Sequence, residues 1–300
     1  MLSNSKPAVA ATGDCPAHKY LLTLAYKGTT YHGFQAQLQN HAGQEPREFK
    51  TVQSVVEKSL RRVTGSECRV VISVASRTDV GVHAKGQAAT FYCNDAQFGL
   101  QMAALNLTLD RNIAVTDIAL VPEAFNVARS VGKLYTYRLC DGAVQDPFQQ
   151  DVQWWVADRW CQANARRPAP GEIMSLDLSL MQEAAACLQG QRCFAAFRDP
   201  SEWLPSNSVR HVWHIQVQRN QPGSILVEIA GDGFLYHMVR KLVAALVEVG
   251  AHRMSLQTLC QLRDQGAHKK TPKAAPAHGL CLERVFFSGD QVPFRHQKPA

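Results

Sequence analysis

No apolar run in this sequence approaches the roughly 20 residues that a membrane span needs. The most apolar helix-like stretch, 234–249, is interrupted by His237, Arg240, Lys241 and Glu248. A membrane-embedded protein is thereby excluded, and a soluble one is expected. The N-terminus lacks the charged-then-apolar pattern of a secretory signal. Residues 1–18 are small and polar and carry Lys6 but no arginine, so a transit character is only faint and the segment reads as a disordered tail. There is no C-x-x-C pair among the nine cysteines, and Cys187 and Cys193 stand too far apart for a zinc knuckle. Odd number and irregular spacing point to reduced structural thiols in a reducing compartment. The cytoplasm is expected, with an organelle or the nucleus left open.

What the chain does have is a moderate basic excess. Its 300 residues hold 32 Lys and Arg against 25 Asp and Glu, a net charge of +7. That balance is compatible with a polyanionic partner, most often nucleic acid. Apolar content is ordinary, so a core can be buried.

Strand, helix and turn signals follow in order. Lys19 to Lys27 reads as a strand ended by Gly28. Residues 36–50 read as an irregular excursion. Thr51 is placed to cap a helix to about Thr64, with Val52, Val55, Val56, Leu60 and Val63 on one face and Gly65 as its stop. Strands are expected over 69–75, 86–92 and 113–121, with a helix over 97–107. In the second half, Lys133 to Cys140 alternates as a strand with Tyr135, Tyr137 and Leu139 on one side. Trp154-Trp155 and Arg166-Arg167-Pro168 lie in a long irregular region. Ser179 with Gln182 suggests a capping box for a helix stopped at Gly190. A hairpin of 209–219 and 224–230, helices over 233–249 and 255–265, and a last strand over 279–287 complete the chain. The elements show no regular βαβ alternation, which favours α+β with mostly antiparallel sheets. The expected division is a tail (1–18), an N-terminal sub-domain (19–126), a C-terminal sub-domain (127–287) and a second tail (288–300).

Chemistry concentrates in the loop 75–84, which reads Ala-Ser-Arg-Thr-Asp-Val-Gly-Val-His-Ala. Arg77 lies two residues from Asp79, and a nearby cation favours an ionised carboxylate, which suits a nucleophile or a general base. The plainer alternative is an exposed ion pair of little worth. Arg240 sits at the edge of a wide apolar helix face, where it either meets a carboxylate or snorkels to solvent. Tyr135 and Tyr137 either pack in a core or stack on a nucleobase. Gly231-Asp232-Gly233 imitates a dinucleotide fingerprint but lacks its third glycine and its βαβ setting. Asp79 and His83 have no further ligands spaced to complete a metal site.

Five stretches, in order, resemble one known family. Ser76-Arg77-Thr78-Asp79-Val80-Gly81-Val82-His83-Ala84, with Gly86-Gln87 after it, is similar to the signature of the TruA-type tRNA pseudouridine synthases. Tyr26 to Gln35, Thr51-Val52-Gln53, Phe234 to Arg240 and Ala275 to Leu280 resemble that family's other motifs. The resemblance spans about 19–287. Val80 and Phe34 depart from the alanine and tryptophan usual in the family.

The resemblance implies the pseudouridine synthase fold, with two α+β sub-domains whose mostly antiparallel sheets join across a central RNA-binding cleft, helices outside. It implies an isomerase that uses no cofactor and no metal, acting on uridine in the tRNA anticodon arm. Asp79 would be the essential carboxylate, with Arg77 and Arg240 holding it ionised. Tyr135 would meet the flipped base, and the Lys133-x-Tyr135-x-Tyr137 frame favours it over Tyr137. His83, Phe234, Gly279 and Leu280 would line the substrate site. Arg61, Arg62, Arg69, Lys85, Arg166, Arg167, Lys269 and Lys270 are candidates for the RNA backbone by charge alone. A homodimer with tRNA as partner is implied. The alternative reading is a catalytically silent RNA-binding or assembly factor on the same fold.

Overall fold

A computed structural model describes residues 17–36, 38–39, 47–157, 175–199, 207–265 and 271–294. The chain divides into two compact units, Met1–Val80 with Gly86–Arg129, and Gly81–Lys85 with Ser130–Ala300.

In the first unit, β1 (His18–Tyr26) pairs antiparallel with β6 (Ile113–Val121) and has β5 (His83–Cys93) on its other side. Every second residue of β1 is buried, so Tyr20, Leu22, Leu24 and Tyr26 form its core face. The rings of Tyr20, Phe91 and Phe98 pack with centroids 5.1 to 5.8 Å apart. Short β2 (Leu38–Gln39) and β3 (Arg47–Glu48) form a separate ribbon. Helix α1 (Val52–Thr64) begins at Thr51, whose hydroxyl accepts from the Ser54 amide while Ser54 Oγ accepts from the Thr51 amide. This reciprocal cap satisfies two amides that the first turn leaves open. Gly65 closes the helix in the left-handed region (φ 66°), as expected from its position.

The expected strand over 69–75 shrinks to β4 (Ser73–Val74), which pairs with Thr90 and Ala89 of β5. Only Ile72 of that apolar run is buried, and Val71 faces solvent. Strand β5 starts earlier than expected, taking in His83 and Ala84, because these pair with Cys281 and Leu282. The helix over 97–107 splits into a 3-10 turn (Phe98–Gln101) and α2 (Met102–Thr108).

In the second unit the strand order is β12-β7-β11-β10-β9, formed by β7 (Gly132–Cys140), β9 (Gly190–Cys193), β10 (Val209–Gln221), β11 (Ser224–Gly231) and β12 (Leu280–Phe286). These neighbours are all antiparallel, while β8 (Trp154–Trp155), expected to be irregular, runs parallel to β7. Tyr135, Tyr137 and Leu139 are buried together on one face of β7. Helix α3 (Leu178–Leu188) is capped by Asp177, which accepts from the Leu180 amide, and not by Ser179. An aspartate one residue ahead of the helix competes better than a serine inside it.

Helix α4 (Met238–Gly250) is buried nearly all round, which its Leu, Val and Ala content permits. Each fully buried Leu or Val there contributes about 1.5–3 kcal/mol. It begins five residues later than expected. Gly233 to Leu235 are extended or irregular, and His237 takes a left-handed conformation (φ 60°) that stops the helix from propagating backwards. Helix α5 (Leu256–Gln265) follows. The Arg166-Arg167 segment, Lys269 and Lys270 lie outside the described residues.

Candidate active site

The loop carrying Asp79 is built around Thr78. Thr78 is buried, and its hydroxyl shares a 2.8 Å hydrogen bond with the Tyr26 hydroxyl on β1. Its carbonyl accepts from the Phe34 amide at 3.1 Å. The Gln87 side chain on β5 donates to the Ser76 carbonyl at 2.7 Å and to the Tyr26 hydroxyl at 3.3 Å. The residues flanking Arg77 are thus tied to two strands and to the segment before α1, while Arg77 itself stays exposed and Asp79 half-buried. A charged pair raised on a rigid base is ready for a ligand, because little ordering remains to be done on binding.

Gly33 must be glycine for this arrangement. Its φ is +80°, and a Cβ there would stand 3.2 Å from the Thr78 carbonyl and 3.4 Å from the Val80 amide. Phe34, which replaces the family's tryptophan, is fully buried beside Tyr26 with ring centroids 6.1 Å apart. The substitution therefore lies beneath the loop. Val80, the other departure, is exposed.

The second unit gathers the remaining candidates around Ala275 to Leu280. Arg240, on the first turn of α4, donates from Nε to the Ala275 carbonyl at 2.7 Å, and the Ala275 amide donates back to the Arg240 carbonyl at 3.1 Å. The Tyr137 hydroxyl donates to the Pro276 carbonyl at 2.7 Å. His83 Nε2 lies 2.9 Å from the His278 carbonyl. Gly279 is pressed on the Tyr137 ring, where a Cβ would come within 2.5 Å of ring carbons. Leu280 pairs with Tyr137 across β12 and β7. One short segment thus positions His83, Tyr137 and Arg240.

This distinguishes the two tyrosines. Tyr137 is wholly buried and its hydroxyl is committed to Pro276. Tyr135 packs edge-on against Phe234, with centroids 5.4 Å apart and planes at 87°. Phe234 stands in the irregular stretch between β11 and α4, so a late helix start is what allows its ring to turn towards β7. Cys281 pairs in register with His83, but burial, with the Glu283 carboxylate, pushes its thiol up to about 12. It stays protonated at neutral pH and is no nucleophile.

The basic candidates fare unevenly. Arg61 and Arg62 are exposed on the last turn of α1. Lys85 is exposed but bonded to Glu283 at 3.0 Å, and Arg69 is bonded to the buried Glu57 at 2.7 Å. Sequence reasoning gave no role to Tyr26 or Gln87. Gln87 carried a signal, since an amide inside an apolar strand must find partners when buried.

Comparison with known proteins gives the family. A family model described as tRNA pseudouridine synthase matches residues 184–288. The chain is 35% identical over 271 residues to "tRNA pseudouridine synthase A" of Myxococcus xanthus, covering 89% of this chain and 91% of the relative. Its likeness to the protein of that name from Moorella thermoacetica is 35% over 271 residues, covering 88% and 97%. To that of Chlamydia pneumoniae it is 34% over 275 residues, covering 90% and 92%. The fold is that of an α+β pseudouridine synthase, an isomerase. The chain belongs to the tRNA pseudouridine synthase family. No helix among the described residues is long and apolar enough to cross a membrane.

Proposed function

We propose that this protein converts uridine to pseudouridine in the anticodon arm of tRNA, without a cofactor, using Asp79 as the essential carboxylate. The observation that carries this reading is the anchoring of Thr78 by Tyr26 and Phe34, which holds Asp79 on a rigid base in a family of tRNA pseudouridine synthases. The bond from uracil N1 to C1′ breaks, the base turns in the pocket, and C5 joins C1′; the C5 proton is lost and N1 gains one, so the product is an isomer of the substrate. Asp79 acts either as nucleophile at the sugar or as base at C2′; in both roles it must be ionised. Arg77 and Arg240 keep it so. Tyr135, supported by Phe234, stacks on or hydrogen-bonds the extruded base. Extrusion costs a few kcal/mol, and contacts to the RNA backbone offset it. His83, Gly279 and Leu280 shape the floor of the pocket. The protein works in the cytoplasm as a homodimer with tRNA as its partner.

The test is conversion of uridine in a tRNA transcript by wild-type protein and by Asp79→Ala, read by modification mapping. Loss of conversion in the variant is expected. Equal conversion by both proteins would sink the reading. A catalytically silent RNA-binding protein would instead bind the transcript and leave it unmodified in both cases.

A further inference from the structure

Lys133 is a half-buried cation on β7 that no step above uses. Among the described residues its ammonium has no hydrogen-bond and no ion-pair partner. An ammonium drawn out of water without a partner is costly, so its retention calls for a reason.

Strand register shows its company. Lys133, Gly231, Val212 and Gly190 form a row across β7, β11, β10 and β9. Arg210 stands two residues beyond Val212, and Arg192 two beyond Gly190, directly opposite Arg210. Side chains two apart share a face, so all three cations lie on the face of Tyr135, with Lys133 between Tyr135 and the arginines, roughly 7 Å from Tyr135 along its strand and about 10 Å from Val212 across two strand spacings. Arginines directly opposite each other weaken a sheet. The row between them holds little side chain, since two of its members are glycines, but it is covered: Val212 is fully buried, and a Cβ on Gly231 would strike the His211 carbonyl at 2.8 Å and the Phe234 ring at 3.2 Å.

The acidic complement is small. Asp232 faces this cluster, and its Oδ1 already accepts from the His211 amide at 2.9 Å. Asp264, bonded to Arg263, also attracts Arg192. Arg210 is held over Gly233 by bonds from Nη1 to the carbonyls of Asn207 and Val209 at 3.0 and 2.7 Å. Burial, and then the Arg210 charge, push the Lys133 ammonium down, while Asp232 only partly restores it. An added anion would relieve both.

The geometry points to a phosphate subsite formed by Lys133 and Arg210, which holds the RNA backbone beside the nucleotide that Tyr135 receives. This deepens the proposed function and rests on it for the identity of the strand. A phosphodiester fits because it is a single anion that can meet both the Lys133 ammonium and the Arg210 guanidinium at the edge of this covered row.

The test measures binding of a tRNA transcript by fluorescence anisotropy across a salt series, with conversion assayed in parallel. Lys133→Met should raise Kd about fivefold to tenfold and lower the slope of log Kd against log salt by about 0.7–0.9, one phosphate contact. Turnover at saturating RNA should stay within about twofold, since no reacting group is lost. Lys133→Arg should restore affinity. Asp232→Asn keeps the acceptor for His211 and removes a repelling charge, so it should tighten binding about threefold, which misfolding cannot imitate. Wild-type Kd and slope in Lys133→Met, weaker binding by Asp232→Asn, or no RNA binding by the wild type would overturn the subsite. Normal binding with these shifts but no pseudouridine would overturn the proposed reaction and leave the subsite standing.

Discussion

Arg240 and Ala275 are joined twice, through the guanidinium Nε on the Ala275 carbonyl at 2.7 Å and through the Ala275 amide on the Arg240 carbonyl at 3.1 Å. The first bond orients the planar fork; the second fixes the turn of α4 that bears it. Lysine carries the same charge but no fork, and cannot both hold the carbonyl and present a planar cation. Arg240→Lys should therefore lower turnover on the order of 10²-fold, the usual cost of losing one placed electrostatic group. Melting temperature should fall only slightly. Near-normal turnover in Arg240→Lys would show that charge alone suffices.

Tyr135 and Tyr137 share a strand face but should respond differently to loss of the hydroxyl. Tyr137→Phe leaves the Pro276 carbonyl without its donor, at a cost of about 1–3 kcal/mol. It should lower stability in urea unfolding and leave turnover within a few-fold. Tyr135→Phe should lower turnover on the order of 10²-fold by removing the hydroxyl's contact to the base, with a smaller loss of stability than Tyr137→Phe. The reverse pattern would move the base contact to Tyr137.

Much of this was legible in the chain. Alternation marked the buried face of β7, and Thr51 with Gly65 bounded α1. Those signals are local, being periodicity and caps. Where long-range pairing decides, sequence reading failed. His83 was expected in a loop and lies in β5 because Cys281, far along the chain, completes its pairing. The apolar run before Ser73 looked like a strand yet pairs over only two residues. The start of α4 was misread because the left-handed turn at His237 depends on tertiary support. Its imidazole is held by Asp199 at 2.7 Å and stacks on Tyr236 at 3.9 Å. Thr78 is the anchor of the loop that carries Asp79, and its partner Tyr26 could not be inferred from spacing.

Gly279 offers a test of how tightly the Ala275 to Leu280 segment must pack. A methyl group there would lie within 2.5 Å of the Tyr137 ring, a clash with a rigid side chain that is itself wholly buried. Gly279→Ala should destabilise the protein by about 1–3 kcal/mol through overpacking. Because the same segment positions Arg240, turnover should fall too. Tyr137→Leu, which removes the ring, should recover part of the stability in the double variant and show the two losses to be coupled.

Asp141 and Arg219 form a doubly bonded ion pair in the second unit. Arg219 donates twice to the buried Asp141 carboxylate, at 2.8 and 2.7 Å, and the Leu176 amide adds a third bond at 2.9 Å. Burial pushes the carboxyl up, but these bonds outweigh it and hold the group below its ordinary value of 3.8. A carboxyl lowered in the folded state stabilises the fold above its unfolded value, and that contribution fades as pH falls through the folded value. The advantage of wild type over Asp141→Asn should thus be constant from neutral pH to about 4.5 and narrow below pH 4. Arg219→Met should behave oppositely. It strands a buried carboxylate, costs about 3–5 kcal/mol at pH 7, and recovers stability as acid neutralises the group. Urea unfolding of the three proteins at pH 7, 5 and 3.5 separates these slopes. Parallel pH profiles for wild type and Arg219→Met would show that the ion pair does not govern the response to acid.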